Sequence, residues 1–558
     1  MTPGRTAAGI DVGNSTTEIV IADVSVDPPR PVAWDRAPTR GLKGSTRAWA
    51  GAARLLQRIE ARTGVVASYV VATPQSPVTT TSARLNRPAR ASGRLAVGAR
   101  AATTPGSPGL AVGSPVDAAA TPWPGVDPVV LLVQRELLWQ DVPGRVTAWR
   151  AAGRDVAGLL LAEDTGVLVA RRLPGQLPVL DVADVVLAAA GKEVALEVAE
   201  PGRAVRTLAD PVALSAALGL TPTERPDAIE IARRLSGAGS GVVVRLGSAG
   251  SAAARAEPDA WVEVAGQRFA LSVGVPELRA AGIGATTAYR LPGAAACSCA
   301  DVWAAELSAA LADIGIGDPD GESFVLAALA ADDADVVDPL GVLAGQLGRD
   351  VLPGPTEASA AWLGAATTPA SRAGTVIDLG GGTLDVVDMA ESRAARETVA
   401  AGAGDLLSVA VATVLGIPLG AAEWVERGPC ARVEAPQVLQ AENGVRRFLD
   451  APAAADAVGS LVVHGPAGLL PFDRRHSPAE WRLLRRRLKD EVLGANLRRT
   501  LRGVKIDGDV LLVGGPAGDD EMVEVAARAL PGRAIGRADV AGVLGHRWAV
   551  AYGLLLER

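Results

Sequence analysis

The chain has 558 residues, 49% of them hydrophobic and 21% charged, and a net charge of −7. These values exclude a disordered chain, call for two to four domains rather than one core, and argue against a nucleic-acid surface, which would need a basic patch. Cys297, Cys299 and Cys430 are the only cysteines, which fits a reducing cytoplasm; no signal peptide is visible and no apolar run approaches the ~20 residues of a membrane span.

In chain order, "AAGIDVGNSTTEIVIADV" (7–24) reads as a β-hairpin with a polar, glycine-containing tip, and 45–64 as an amphipathic helix ended by glycine. Residues from about 86 to 127 are dense in Pro, Gly, Ser and Thr without helical period, the pattern of a linker or functional loop. "PVVLLV", "GRVTAWRAAGRD", "VAGLLLAED" and "TGVLVARRL" then predict strand, helix, strand, strand, a small βαββ domain that closes near 236–254. "CADVWAAELSAALADIG" (299–315) reads as helical. Residues 478–504 form a strongly basic helix expected to show a solvated face, and "DVLLVGGPAG" (509–518) a strand entering a double-glycine turn. His464, His476 and His546 share no ligand spacing and are read as structural or solvent-facing; the tryptophans, Trp362 and Trp548 among them, as core filling.

"VIDLGGGTLD" (376–385) sets three glycines between two aspartates at the end of an apolar run. Backbone N–H groups at a tight turn bind phosphate oxygens well, and glycine lets them approach closely. A carboxylate beside such a turn cannot bind the anion itself but can hold Mg²⁺ or its waters, so Asp378 and Asp385 around Gly380, Gly381, Gly382 and Thr383 read as a metal–nucleotide site. Asp11, followed by Gly13, Asn14, Ser15 and Thr16, is a second copy of the device. Gly514 and Gly515 form a third turn with no acid beside it, suited to a flat contact with ribose or adenine.

Together these motifs resemble the actin-like ATPase superfamily of heat-shock chaperones and sugar kinases. "IDVGNSTTE" and "IDLGGGTLD" are similar to its two phosphate loops, "LLVGGPAG" to its adenosine motif and "TEASAAWLGA" to its first connecting helix. The resemblance implies an α/β fold of two ribonuclease-H-like halves facing across a nucleotide cleft. It further implies that Asp11 and Asp378 order the Mg²⁺ hydration shell and that Glu357 helps to position the attacking water.

The layout as a whole resembles the large subunit of diol/glycerol dehydratase reactivating factors. "AGIDVGNSTTE", "TTPGSPGLAVG", "GLLLAEDTGVLVARRL", "LPVLDVADVV", "EVALEVAEPGR", "TEASAAWLGAATTP", "GAGD" and "LVGGPAG" occur in that family's order. The resemblance implies an inserted swivelling domain over 86–254, an ATPase first half over 1–85 and 255–370, and a second half over 371–558 that carries an inserted helical or linker region at about 405–500. It implies a metal in the swivelling domain, Mg²⁺ or Ca²⁺, held by Thr104, Asp164 and Asp181. It implies a slow ATPase of the molecular-chaperone type, using ATP and ADP states to exchange subunits and release damaged cobalamin. The partners implied are a small subunit, in an α2β2 heterotetramer, and an adenosylcobalamin-dependent dehydratase as client. No nucleic acid or membrane takes part, and the location is cytoplasmic. An actin-fold small-molecule kinase is the alternative reading.

Overall fold

The structure, a computed structural model, describes residues 5–73, 78–86, 93–101, 106–181, 183–200, 203–235, 238–247, 260–271, 275–291, 295–312, 323–331, 338–369, 371, 373–389, 395–465, 468–506 and 508–556. Two five-stranded sheets repeat one strand order. In the first, Arg30–Pro38, Thr16–Asp23 and Thr6–Val12 are antiparallel neighbours, and Tyr69–Ala72 and Val351–Pro353 continue in parallel. In the second, Ala395–Ala401, Thr383–Met389 and Ala373–Leu379 are antiparallel, with Asp509–Val513 and Ile535–Arg537 parallel beyond them. This is the ribonuclease-H-like order, and its duplication makes the fold actin-like.

The strand Thr6–Val12 is almost wholly apolar because both faces are covered. The helix Thr46–Thr63 lays Trp49, Ala52, Leu56 and Ile59 against one of them; Ser45 caps its start, accepting from the Ala48 N–H, and Gly64 ends it at φ 71°. The two halves meet where the helix Glu357–Ala366 crosses Ala549–Gly553 near the C-terminus. A Cβ on Gly364 would lie 2.0 Å from the Ala549 carbonyl oxygen, and one on Gly553 1.9 Å from that of Ala360. Backbone rides on backbone there, so only hydrogen fits. Gly364→Val is therefore expected to destabilise the chain by about 3 kcal/mol, the upper range for an overpacked contact. Thermal unfolding reads it, and a midpoint within about a degree of the parent would show that the crossing slides apart freely.

Between the fourth and fifth strands of the first sheet the chain departs to build two further units. Val78–Asn86 pairs with Ser323–Ala331, which pairs with Asp301–Glu306, and a four-stranded sheet forms between Trp261 and Ser298. Trp303, Ala305, Val325 and Ala327 share a core with Ile377, Leu384, Leu406 and Leu488 of the second half. The expected allotment of 255–370 to the first half is thereby corrected. Only from the helix Pro339–Leu347, whose Leu343 is buried in the first-half core, does the chain return there.

The other unit, between residues 93 and 247, is a seven-stranded mixed sheet. It corrects two expectations. The supposed linker at 86–127 supplies the strands Leu95–Ala101 and Gly109–Asp117. "TGVLVARRL" forms the helix Gly166–Ala170, five residues being too short for periodicity to tell helix from strand. Likewise 299–315 is not helical throughout: Asp301–Glu306 is a strand, buried along nearly its whole length and so without alternation, and a helix begins only at Leu307. The supposed helical region at about 405–500 contains a five-stranded antiparallel sheet between Ala431 and Asp473. Among the described residues no single helix is long and apolar enough to cross a membrane.

Candidate functional site

Each half supplies the same turn. The pattern Asp-x-Gly-x-x-Thr runs through Asp11, Gly13 and Thr16, and again through Asp378, Gly380 and Thr383. In both, the glycine N–H donates to the threonine carbonyl, at 2.9 Å from Gly13 and 3.0 Å from Gly380. The antiparallel register that follows sets an acid opposite each aspartate, Glu18 across from Asp11 and Asp385 across from Asp378.

A cavity of about 750 Å³ separates the two turns. Asp11, Asn14, Ser15, Thr16, Glu357, Asp378, Gly380, Gly381, Thr383, Gly514 and Gly515 all line it. Gly382 does not; its carbonyl accepts the Gly402 N–H at 2.8 Å and braces the loop from behind. Gly514 has φ +86°, and a Cβ on it would come 2.4 Å from the Asp378 Oδ1, so the third turn sits directly on the second. On the far side Ser15 Oγ donates to Asp405, 3.1 Å to Oδ1 and 3.0 Å to Oδ2, and would lie 1.9 Å from a Cβ on Gly381. The two phosphate-type loops touch across the cleft.

Several cleft residues escaped the sequence reading. Lys43 donates to Glu357, at 2.9 Å to Oε1 and 2.7 Å to Oε2. Glu18, Asp405 and Arg547 line the cavity as well, beside Asp385, which the sequence already reads as part of the metal–nucleotide site. Glu18 and Asp385 were legible, because an acid follows two residues after the threonine in both copies of the pattern. Lys43 was not: it sits in a loop of no distinctive composition, 314 positions from its partner.

Burial pushes the Asp378 carboxyl up to about 7, reinforced by the charge of Glu357, and pushes Glu18 to about 7 as well. Asp11 and Asp385 also lie well above the usual carboxylate range, for burial first and neighbouring acids second. Burial works against the charge of Lys43, but Glu357 and then Asp11 hold its ammonium above the usual lysine range. Oδ1 of Asp11 and Oδ1 of Asp385 are buried with no hydrogen-bond partner among the described residues. Unpaired buried carboxylate oxygens are costly unless a cation joins them, and an all-oxygen donor set is the kind Mg²⁺ takes.

Also lining the cavity, Ser408 Oγ donates to Glu426 at 2.8 Å, and burial lifts Glu426 to about 8. The basic helix keeps a solvated face at Arg482, Leu483 and Arg487 but buries two of its cations on the other. Arg485 pairs with Glu442 at 2.6 Å and Glu521 at 2.7 Å, while Lys489 pairs with Asp519 and, at 2.7 Å, with Glu521. Both side chains are almost wholly buried, and neither lines the cavity. His546 Nδ1 meets the Gly514 carbonyl at 2.8 Å and His476 Nδ1 meets Asp473 at 2.9 Å, so both act structurally.

Two family models match the sequence. One, described as the diol dehydratase reactivase ATPase-like domain, covers 322–558; the other, the DD-reactivating factor swiveling domain, covers 96–250. Both models describe parts of one family, the diol dehydratase reactivases, to which this chain is similar over those residues. The propanediol dehydratase-reactivating factor large subunit of Citrobacter freundii is 29% identical over 99% of this chain and 98% of its own. The diol dehydratase-reactivating factor large subunit of Klebsiella michiganensis is 28% identical with the same coverage. A solved glycerol dehydratase reactivase and a diol dehydratase-reactivating factor in nucleotide-free form each superpose with a TM-score of 0.57 at 26% identity, covering 99% of both chains. The reactivase ATPase-like domain carries the nucleotide-binding fold.

In the region matched by the swiveling-domain model, Asp164 and Asp181 are close enough for the charge of one to act on the other. Asp181 Oδ2 accepts the Gly166 N–H at 2.8 Å; burial raises its carboxyl to about 6, with the charge of Asp164 adding to the rise. Thr104, the third ligand expected there, lies outside the described residues.

Proposed function

We propose that this protein is the ATP-driven large subunit of a factor that restores inactivated adenosylcobalamin-dependent diol or glycerol dehydratase. The observation that carries the reading is the convergence of three backbone turns and a cluster of acids on one nucleotide-sized cavity, in a chain whose relatives are named for that task. The loops 13–16 and 380–383 offer N–H and hydroxyl donors to the phosphates, and Gly514 and Gly515 a flat surface to the nucleoside. Asp11, Asp378 and Asp385 would hold Mg²⁺, which when bound neutralises phosphate charge and orders water. Glu357 positions the attacking water, and Lys43, held beside it, offers its ammonium to the transferring phosphoryl group. The cleft holds no dedicated histidine base, so placement and charge do the catalysis and turnover is slow.

ATP and ADP act through their different affinities for the open and closed cleft. The exchange they drive is of a small subunit, in an α2β2 assembly, against the dehydratase, which then frees its spent cobalamin. Asp164 and Asp181, with Thr104, hold Mg²⁺ or Ca²⁺ in the swiveling domain, where hard oxygen ligands suit either ion. The setting is the cytoplasm. The test incubates inactivated dehydratase with the complete factor, Mg²⁺ and fresh coenzyme, with and without ATP. Dehydratase activity should return only with ATP. ATP turnover that responds to a polyol and ignores the dehydratase would instead mark a kinase.

A further inference from the structure

The basic helix is broken in the middle. It runs from Pro478 to Lys489, widens into a π-helical turn over Asp490–Gly494, and resumes over Ala495–Thr500. A π-turn carries one residue too many for the α-helical ladder, which frees backbone groups for outside partners and recurs at functional sites. Here the partners come from the three- and four-stranded unit described above. Trp303 Nε1 donates to the Val492 carbonyl at 3.0 Å, the Glu306 N–H donates to Glu491 Oε1 at 3.2 Å, and Arg279 pairs with Glu491.

The flanks of the turn grip the nucleotide site instead. Before it, Lys489 ties to Asp519 behind the third glycine turn. After it, Asn496 Nδ2 donates to the carbonyls of Ala401 and Gly402, both at 2.8 Å. That segment leads straight into Gly404 and Asp405, whose N–H groups donate to Gly380 at 3.2 Å and Gly381 at 2.8 Å in the second phosphate loop. Arg499 closes the circuit. It pairs with Asp301 at 2.6 Å, and Asp301 in turn accepts the Ala401 N–H at 2.9 Å; both side chains are 1% exposed.

The unit held by the turn is also the mount of the swiveling domain. The chain enters that domain from the strand Val78–Asn86 and returns from it into Trp261–Val264, one strand in each sheet of the mount. We infer that Trp303, Asp301 and Asn496 are positioning residues that lock the second phosphate loop to the swiveling-domain mount through the π-turn, so that a change at the phosphates moves the mount. This rests on the proposed nucleotide-driven function. A buried bidentate ion pair and a saturated side-chain amide give a stiff connection rather than a sliding one.

The test places a fluorophore pair on cysteines introduced by Val212→Cys in the swiveling domain and Val543→Cys in the second half, in a Cys297→Ser background. These positions are 77% and 62% exposed. Energy transfer is read with Mg·ATP and with Mg·ADP, and nucleotide affinity by calorimetry. The parent should show a difference between the two states. Trp303→Phe, which keeps the ring but loses the indole N–H, and Asp301→Asn should each cut that difference by about half or more, with affinity unchanged within about twofold. A full difference retained in both variants overturns the coupling and leaves the proposed function standing. A parent that shows none sinks both. Affinity falling about tenfold alongside would make these residues part of the binding site itself and also overturn the inference.

Discussion

Asp11→Asn and Asp378→Asn are each expected to slow ATP hydrolysis by about 10²- to 10³-fold, the range for removing one preorganised charge-stabilising group. Neither substitution changes side-chain volume, and both positions lie at the ends of strands whose ladders do not involve the carboxylate, so the chain should fold and pair with its partner normally. What is lost is the hard anionic donor. Oδ1 of Asp11 has no partner among the described residues to compensate, and an amide there presents one neutral oxygen where the proposed cation requires a carboxylate. Dehydratase reactivation should fail in both variants, because the proposed scheme requires a completed cycle of nucleotide states to release the client. Lys43→Met and Glu357→Gln should behave unequally. Removing the lysine leaves Glu357 beside Asp11 and Asp378 with less positive charge to balance them, whereas removing the glutamate charge relieves repulsion on both aspartates. Phosphate release under single turnover measures all four. A rate within about tenfold of the parent for both aspartate variants would remove the acids from the catalytic scheme.

Where the backbone is forced, the sequence was readable. Asp11, Asp378 and the glycine turns could be placed because few residue types satisfy a bare anion-binding turn, and because the two copies repeat at one spacing. The first helix was readable from its own ends, with a serine cap and a left-handed glycine. The mount was not. With only four phenylalanines and three tyrosines among 558 residues, strands and helices are both built from Ala, Val and Leu. A buried strand such as Asp301–Glu306, flanked by alanine-rich sequence and covered on both faces, therefore shows no alternation, and Trp303 alone does not tell strand from helix. Long-range ion pairs were beyond reach for a different reason. Asp301 and Arg499 are 198 positions apart, and each looks locally like an ordinary surface charge. Their partnership exists only once the strand and the helix have been folded against each other.

The nucleotide-free chain should lose stability as pH rises, and Mg·ADP should cancel the loss. Four cleft acids, Asp11, Glu18, Asp378 and Asp385, have folded-state pKa values above their unfolded ones, two of them near 7. Between about pH 4 and pH 7 the native state therefore binds more protons than the unfolded state, and unfolding free energy falls with rising pH. The stability these groups contribute is complete below their unfolded pKa and is lost as pH rises through the folded one, about 7 for Glu18 and Asp378. For Asp378 alone, a rise from 3.8 to about 7 corresponds to about 4 kcal/mol at most. Lys43 and Arg547 face the cluster and soften the effect, and the acids repel one another, so the four do not add. A cation requires the ionised form, so Mg·ADP binding should release protons and tighten as pH increases. Scanning calorimetry at about pH 6 and about pH 8, with and without Mg·ADP, tests both halves of the claim. The nucleotide-induced rise in unfolding temperature should be larger at the higher pH, and Asp378→Asn should flatten the slope of the free chain. An unchanged slope in that variant would mean that the carboxylates are already paired within the protein, and the cleft would then have no demand for a metal.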